Sequence, residues 1–236
     1  MKQVLNGILL KKINYSETSL ILHFFTRENG LQSFIFQGGK KKKGNLLHAL
    51  SMVEIESYHR PESEMGRISA ISPNHVLSSI PFDPVKSGIA FFLTEVISFC
   101  LKSTESDLLT YEFLTEEILW LDSTEDLANY PVWFLIRFSE MQGFSPQVVQ
   151  SEAVYFDLQE GELTRSHPSG HAYVKDNSVP ELEKLLSKTR TEILADPISK
   201  AVRRLLVLHL IEYYKIHISG FKTPKSLEIM QTILHD

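Results

Sequence analysis

The sequence of 236 residues contains a single cysteine, Cys100, so no disulfide bond can form within the chain. A chain of this length buries roughly 70% of its unfolded surface, so folding requires neither a disulfide nor a metal. The first residues lack the apolar stretch of a signal peptide, and no apolar run reaches the roughly 18 residues of a membrane helix. We therefore expect a soluble protein of the reducing cytoplasm that needs no cofactor.

The chain has fewer positive than negative residues, and its net charge is −5. Taken alone, this net charge argues against a nucleic-acid partner. The charge is divided unevenly along the chain. Residues 1–80 hold 10 Lys and Arg against 6 Asp and Glu, a net charge of +4, whereas residues 81–236 hold 14 against 23, a net charge of −9. This asymmetry indicates two domains of different character.

Short aliphatic and aromatic runs, separated by Gly, Asn and Pro, predict β-strands in the first 77 residues. The five runs span residues 4–13, 19–26, 31–37, 52–58 and 67–76. In the fourth run, Val53 and Ile55 alternate with Glu54 and Glu56, the pattern of a half-buried antiparallel strand. Five strands in about 75 residues favour an OB-fold barrel over residues 1–80, with an SH3-like barrel as the alternative.

Gly and Pro become sparse after Pro84, and helical spacing follows. We predict an α+β protein in which a mostly helical domain occupies residues 81–236. Its helices are predicted over residues 84–102, 108–121, 125–142, 197–218 and 224–234. Between about 150 and 175, two short apolar runs around Gly161 predict an inserted β-hairpin.

A run of four lysines, Lys40, Lys41, Lys42 and Lys43, directly follows the third predicted strand; we call it the lysine segment. It is not a phosphate-binding loop, because Gly44 is followed by Asn-Leu where such a loop has Lys-Ser or Lys-Thr. A basic loop on a barrel attracts a nucleic-acid backbone by releasing condensed counterions. A merely solvated surface loop is the alternative interpretation.

Aromatic and basic residues near the lysine segment extend this candidate DNA-binding surface. Phe34 and Phe36 alternate on the preceding strand, and rings beside cationic grooves stack on bases at an order of 1 to 3 kcal/mol each. The alternative is that both rings fill the barrel. Lys11, Lys12 and Arg27 add charge at the end of the first strand and in the hairpin turn.

The helical domain contains a second basic set against an otherwise acidic background. It comprises Lys200, Arg203, Arg204, Lys215, Lys222 and Lys225. Such residues suit a second DNA contact or an acidic, apolar peptide, whereas ordinary helix salt bridges are the alternative.

Motifs of catalysis and metal binding are lacking in the sequence. No nucleophile elbow, HExxH motif or Cys-His pair is present, so we predict no catalytic residue and no enzyme. His167 and His171 flank Pro-Ser-Gly, which favours a loop over a zinc site, so no metal ligand is assigned.

Several segments, in order along nearly the whole chain, carry a resemblance to a known family. They are GILLKK (7–12), YSETSL (15–20), FTRENGL (25–31), QGGKK (37–41), RFSEMQGFSP (137–146) and YYKIHISG (213–220) followed by KS (225–226). Together they resemble the RecO family of bacterial recombination mediators. The resemblance implies an OB-fold on a helical domain, binding of single- and double-stranded DNA, annealing of complementary strands, and no use of ATP.

The resemblance also implies partners and a location. The partners are RecR and the C-terminal tail of the single-stranded-DNA-binding protein (SSB), and together they help load RecA onto SSB-coated strands, in the cytoplasm at the nucleoid. On this basis DNA contact is assigned to Arg27 and the lysine segment, and the tail peptide to the region of Arg137 or of Arg203 and Arg204.

One departure from the family concerns zinc. Many members carry a four-cysteine zinc site just after the segment that matches residues 143–146, whereas here no cysteine follows Cys100. We therefore expect the hairpin to fold without metal, held by Val154, Phe156 and Leu163. The competing functional hypothesis is a non-enzymatic protein-interaction adaptor whose barrel does not contact nucleic acid, and the negative net charge favours it.

Overall fold

The computed structural model describes residues 2–39, 47–58, 63 and 65–234. The chain divides into two compact units, residues 1–124 and 125–236. The first unit includes the barrel and the two helices described below, so its limit differs from the predicted domain boundary near residue 80, which stays a prediction. Among the described helices, none combines the length and the apolar character that crossing a membrane requires.

The first unit opens with a closed barrel of five strands, which confirms the predicted five-stranded OB-fold. They are β1 (Lys2–Asn14), β2 (Leu20–Thr26), β3 (Gly30–Phe36), β4 (Met52–Tyr58) and β5 (Gly66–Pro73). Their order around the barrel is β1-β2-β3-β5-β4. All neighbours are antiparallel except β3 and β5, which pair in parallel.

The long first strand closes the barrel because it pairs with β4 through its first half and with β2 through its second. A bulge between Leu9 and Lys11 shifts the register and bends the strand between its two partners. In β4, Val53 and Ile55 are buried and Glu54 is exposed, so the predicted alternation is confirmed. Rings and aliphatic side chains from all five strands fill the interior.

Two helices complete the described part of the first unit. They are α1 (Pro84–Cys100) and α2 (Leu108–Ser123), close to the predicted ranges. Asp83 caps α1 by accepting hydrogen bonds from the N–H groups of Val85 and Lys86, and proline in the first turn fixes the backbone there. Asp107 caps α2 in the same way through the N–H of Thr110.

Asp122, near the end of α2, holds the segment that connects β5 to α1. Its carboxylate accepts hydrogen bonds from the N–H groups of Ser78, Ser79 and Ile80 at 2.7, 2.9 and 2.8 Å. Burial tends to raise the pKa of this carboxyl, but the hydrogen bonds from Ile80, Ser78 and Ser79 outweigh it and lower the pKa to about 2. The buried ammonium of Lys86 donates to the Asp122 carbonyl at 3.0 Å.

The second unit is mostly helical. Its helices are α3 (Tyr130–Met141), α4 (Val179–Leu186), α5 (Arg190–Leu194), α6 (Lys200–His217) and α7 (Leu227–Ile233). The sequence analysis predicted α3, α6 and α7 with starts three to five residues too early, and missed α4 and α5. The signal for α5 was present, since Thr189 and Glu192 form a capping box.

A small sheet is inserted between α3 and α4, and the predicted hairpin forms its centre. The strands are β6 (Gln147–Val148), β7 (Tyr155–Asp157), β8 (Glu162–Thr164) and β9 (Tyr173–Val174), in the order β6-β8-β7-β9. Phe156 and Leu163 are buried as expected. The prediction for Val154 is wrong, because this residue precedes β7 and is 43% exposed.

Two contacts fix the turns of this small sheet. Gly161 has φ +74°, and the hydroxyl of Tyr213 occupies the place where a Cβ would project. The same hydroxyl donates a hydrogen bond to the carbonyl of Phe144 at 2.5 Å. His171 lies 2.9 Å from the Asp157 carboxylate, which raises the pKa of the imidazole through this hydrogen bond.

Candidate nucleic-acid interface

Lys11 and Lys12 lie exposed on β1, directly after its bulge. Lys12 donates from Nζ to the carbonyl of Leu47 at 2.7 Å. Leu47 is the residue at which the described chain resumes after the lysine segment, and the lysine segment itself lies outside the described residues. The chain therefore returns to the barrel beside the two lysines of β1. DNA contact by these lysines stays a prediction.

Arg27 is separated from these lysines and lies among carboxylates. Its backbone N–H bonds to the carbonyl of Asn6, so it lies about 17 Å along β1 from Lys11, at about 3.3 Å per residue. Its guanidinium is 3.6 Å from the Glu112 carboxylate, and both residues line a pocket together with Glu116. A phosphate at this position would meet two negative charges, which weakens the assignment of Arg27 to DNA.

Phe34 and Phe36 point into the barrel, with 1% and 3% of their surface exposed. The ring of Phe34 packs edge-on against that of Phe24 at 6.1 Å between centroids. The expectation that Phe34 and Phe36 stack on bases is therefore corrected: they fill the core. The alternation of β3 places Ser33 and Ile35, the residues on either side of Phe34, on the opposite face, where both are half-buried.

A pocket of about 380 Å³ lies where β1, the chain after the lysine segment and α1 meet. Lys11 and Lys12 line it from β1, and Phe91 lines it from α1. Sequence analysis missed Phe91, although a signal existed. Its neighbours Ala90 and Phe92 are buried on α1, whereas Phe91 falls outside the apolar stripe and is 57% exposed.

The second basic set does not form one patch. Lys200, Arg203 and Arg204 lie in the first turns of α6, and Lys215 lies about 16 Å beyond Arg204 along the helix, at about 1.5 Å per residue. Lys215 is also paired with Glu212 at 2.7 Å. The remaining two members, at positions 222 and 225, are exposed in the connection between α6 and α7.

Arg203 is a partly buried member of the set. Its guanidinium approaches the side-chain oxygen of Asn129 at 3.3 Å and the carbonyl of Ile198 at 3.4 Å. Burial lowers the pKa of Arg203 from its ordinary value. The neighbouring Arg204 is exposed, so the two residues that sequence analysis grouped together lie in different environments.

Arg137 forms part of a cation–aromatic cluster in the second unit. Its guanidinium lies 4.9 Å from the ring centre of Trp133, and that of Arg190 lies 5.9 Å from the same ring. Arg137 also donates to the Glu140 carboxylate at 2.8 Å and to the carbonyl of Lys188 at 2.6 Å. The arrangement holds two guanidinium groups beside one buried indole, a geometry suited to binding carboxylates.

The thiol and the potential metal ligands give no sign of a catalytic centre. Burial raises the pKa of the Cys100 thiol to about 12, so it is not a reactive thiolate. Within the described ranges, no three His, Cys, Asp or Glu side chains converge as a metal site would require. The absence of a metal and of an enzymatic activity stays a prediction.

The architecture defines the class of protein: an OB-fold barrel, continued by helices and a small inserted sheet. The family model for the recombination protein O N terminal matches residues 1–76, and that for the recombination protein O C terminal matches residues 81–227. The chain therefore belongs to the recombination protein O family, and the resemblance found in its sequence is confirmed.

Curated relatives match over nearly their full length. The chain is 32% identical to the DNA repair protein RecO of Azobacteroides pseudotrichonymphae, over 96% of this chain and 97% of the relative. It is 29% identical to the DNA repair protein RecO of Phocaeicola vulgatus, over 99% of both chains. It is 30% identical to the DNA repair protein RecO of Flavobacterium johnsoniae, over 96% of this chain and 97% of the relative.

Proposed function

We propose that this chain acts in DNA repair as a recombination mediator of the RecF-type pathway. The observation that carries the proposal is its similarity, along 96% to 99% of its length, to proteins named DNA repair protein RecO. In this role the chain binds single- and double-stranded DNA, anneals complementary strands and helps to load RecA onto SSB-coated strands. None of these steps requires a catalytic site.

The surface of β1 and the lysine segment together form the proposed DNA contact. Lys11 and Lys12 are exposed on one strand, and the chain that follows the lysine segment is attached to Lys12 through the Leu47 carbonyl. The described part of this contact is the pair Lys11 and Lys12, and the lysine segment is included on the strength of its charge alone. A backbone contact of this kind depends on positive charge and needs little geometric precision.

Annealing requires that a second strand be held near the first, because tethering raises the effective concentration of one strand around the other. We assign the second contact to the exposed cations of the second basic set, namely Lys200, Arg204, Lys222 and Lys225. Some lie in the first turns of α6 and the others in the connection that follows its end, so they suit an extended strand better than one compact site.

The proposed protein partners are RecR and the tail of SSB. The cluster of Arg137, Trp133 and Arg190 supports the assignment of the tail, because an acidic peptide can place its carboxylates on the two guanidinium groups, which the buried indole of Trp133 holds close together. A peptide carboxylate would have to displace the exposed Glu140 from Arg137.

Fluorescence anisotropy of a labelled single-stranded DNA, titrated at several salt concentrations, tests the DNA contact. We expect the affinity to fall steeply with salt, and Lys11→Ala to make the log–log slope less negative by about 0.7. The matched control is Lys184→Ala, which removes one exposed cation paired with Glu181 on the helical unit and should leave the slope unchanged.

Two outcomes would contradict the proposal. If the chain does not bind single-stranded DNA at low salt, the adaptor hypothesis is the better one, as the acidic surroundings of Arg27 also suggest. If it binds DNA but does not accelerate the pairing of two complementary labelled strands, measured by energy transfer between them, the annealing role is wrong.

A further inference from the structure

The pocket beside Lys11 and Lys12 has the size and the lining of a ligand site. Its volume of about 380 Å³ lies within the range of about 300 to 1,000 Å³ typical of such sites. The inner wall is apolar, with Leu10, Ile80 and Ala90 among its members. An apolar wall of this extent binds a flat organic group better than it binds water.

Hydroxyl groups in the wall are already engaged within the protein. Ser87 donates to the carbonyl of Ile80 at 2.5 Å, and Thr94 donates to the carbonyl of Phe91 at 2.8 Å. Their hydroxyl protons are thus directed at the backbone, and the pocket presents mainly carbon to an occupant. The side chain of His48 and the two lysines of β1 supply its polar part.

Phe91 is the exposed aromatic ring of this pocket. It lies on α1 with 57% of its surface exposed, although a phenylalanine normally gains by burial. An exposed ring beside cations is the combination with which single-stranded nucleic acids are bound, since bases stack on the ring while lysines attract the backbone.

We propose that this pocket receives one unstacked base of single-stranded DNA. The base lies against Phe91 and the apolar wall, and the flanking phosphates lie at Lys11 and Lys12. This inference rests on the proposed function, since it needs DNA on the barrel. A base is favoured over an acidic peptide because Lys11 and Lys12, which suit the DNA backbone rather than further cations of a partner, line the pocket, and because its wall is apolar.

The test uses an oligothymidylate with a single central 2-aminopurine, whose fluorescence changes when the base is unstacked and transferred into a protein site. We expect the full chain to change this fluorescence at saturation. Phe91→Ala should abolish the change and weaken the affinity about tenfold, the effect of one lost stacking contact.

The matched control is Phe82→Ala, which removes another exposed phenylalanine, 78% exposed, that does not line the pocket. It should leave both fluorescence and affinity unchanged. Ala49→Trp is a second variant, because a larger side chain at this half-buried lining position fills the pocket without removing a ring. On an oligonucleotide of abasic residues, the wild type, Phe91→Ala and Ala49→Trp should bind equally well.

The outcomes separate this inference from the proposed function. If the wild type does not bind single-stranded DNA at low salt, both fail. If it binds but Phe91→Ala behaves like Phe82→Ala, the base pocket alone is refuted. If Phe91→Ala keeps its DNA affinity but loses binding of an acidic, apolar peptide, the pocket is a peptide site and the inference is overturned.

Discussion

Substitution of Asp122 by Asn should measure how strongly one carboxylate holds the wall of the base pocket. Asp122 accepts N–H hydrogen bonds from Ser78, Ser79 and Ile80, and Ile80 lines the pocket. A pKa lowered from 3.8 to about 2 corresponds to about 2.4 kcal/mol, at about 1.36 kcal/mol per pKa unit. Because the carboxylate is partly exposed, solvent screening reduces the expected loss to about 1 to 2 kcal/mol.

The pH dependence of this loss follows from the sign of the shift. A carboxyl whose pKa is lower in the folded protein stabilises the fold fully above 3.8, and this stabilisation disappears as the pH falls towards about 2. Asp122→Asn should therefore lower the free energy of unfolding by a constant amount between about pH 5 and 8. The difference from the wild type should shrink below about pH 4.

Thermal unfolding of the full chain gives the readout, together with hydrogen exchange at residues 78–80. At about 2 to 4 °C per kcal/mol for a protein of this size, Asp122→Asn should lower the melting temperature by about 2 to 8 °C and speed exchange in this segment. Glu116→Gln, an exposed acid-to-amide change on the same helix, is the control. Equal effects of the two substitutions near pH 7 would refute the reasoning, as would a difference that persists at about pH 2.

Backbone, core and ion-pair substitutions should each leave a distinct signature. Gly161→Ala should lower the free energy of unfolding by about 2 to 4 kcal/mol in urea denaturation, because a Cβ there meets both the positive φ and a tyrosine hydroxyl. Gly170→Ala, also at positive φ but in open space, should cost only about 1 kcal/mol, and equal costs would contradict the contact. Phe34→Leu should cost about 1 to 2 kcal/mol yet leave DNA affinity within about twofold, whereas a large loss of affinity in a folded variant would restore a stacking role. Asp157→Asn should return the raised pKa of His171 towards 6.5, as measured by NMR titration. The substitution removes a stabilisation that is present below pH 6.5 and is lost as the pH rises through the pKa of His171 in the folded state. An unchanged pKa would exclude Asp157 as the cause of the shift.

Short segments of the sequence are enough to predict the family and most of the strands and helices of this protein. The alternation of Val53 and Ile55 with glutamates predicts a strand because side chains two apart share a face. The helices α4 and α5 were missed because they have only 8 and 5 residues, too few for a clear helical period.

The environment of each site residue depends on tertiary contacts, which no local sequence pattern predicts. The alternation of β3 predicts that Phe34 and Phe36 share a face, but only barrel closure, through the pairing of β3 with β5, decides that this face is the interior. The sequence predicts that Arg27 is an unpaired cation, yet Glu112, 85 positions later in the chain, lies beside it in the fold.

The sequence by itself thus determined the fold class, through short-range periodicity and turn residues, and the family, through motifs that resemble it in order along the chain. It also named the cations that are candidates for a DNA contact. Only the tertiary structure decided which rings are buried, which charges are neutralised by acids, and that Phe91 meets Lys11 and Lys12 around one pocket. The physical reason is that packing brings together residues about 80 positions apart, and burial and local electrostatic potential depend on those distant neighbours rather than on adjacent ones.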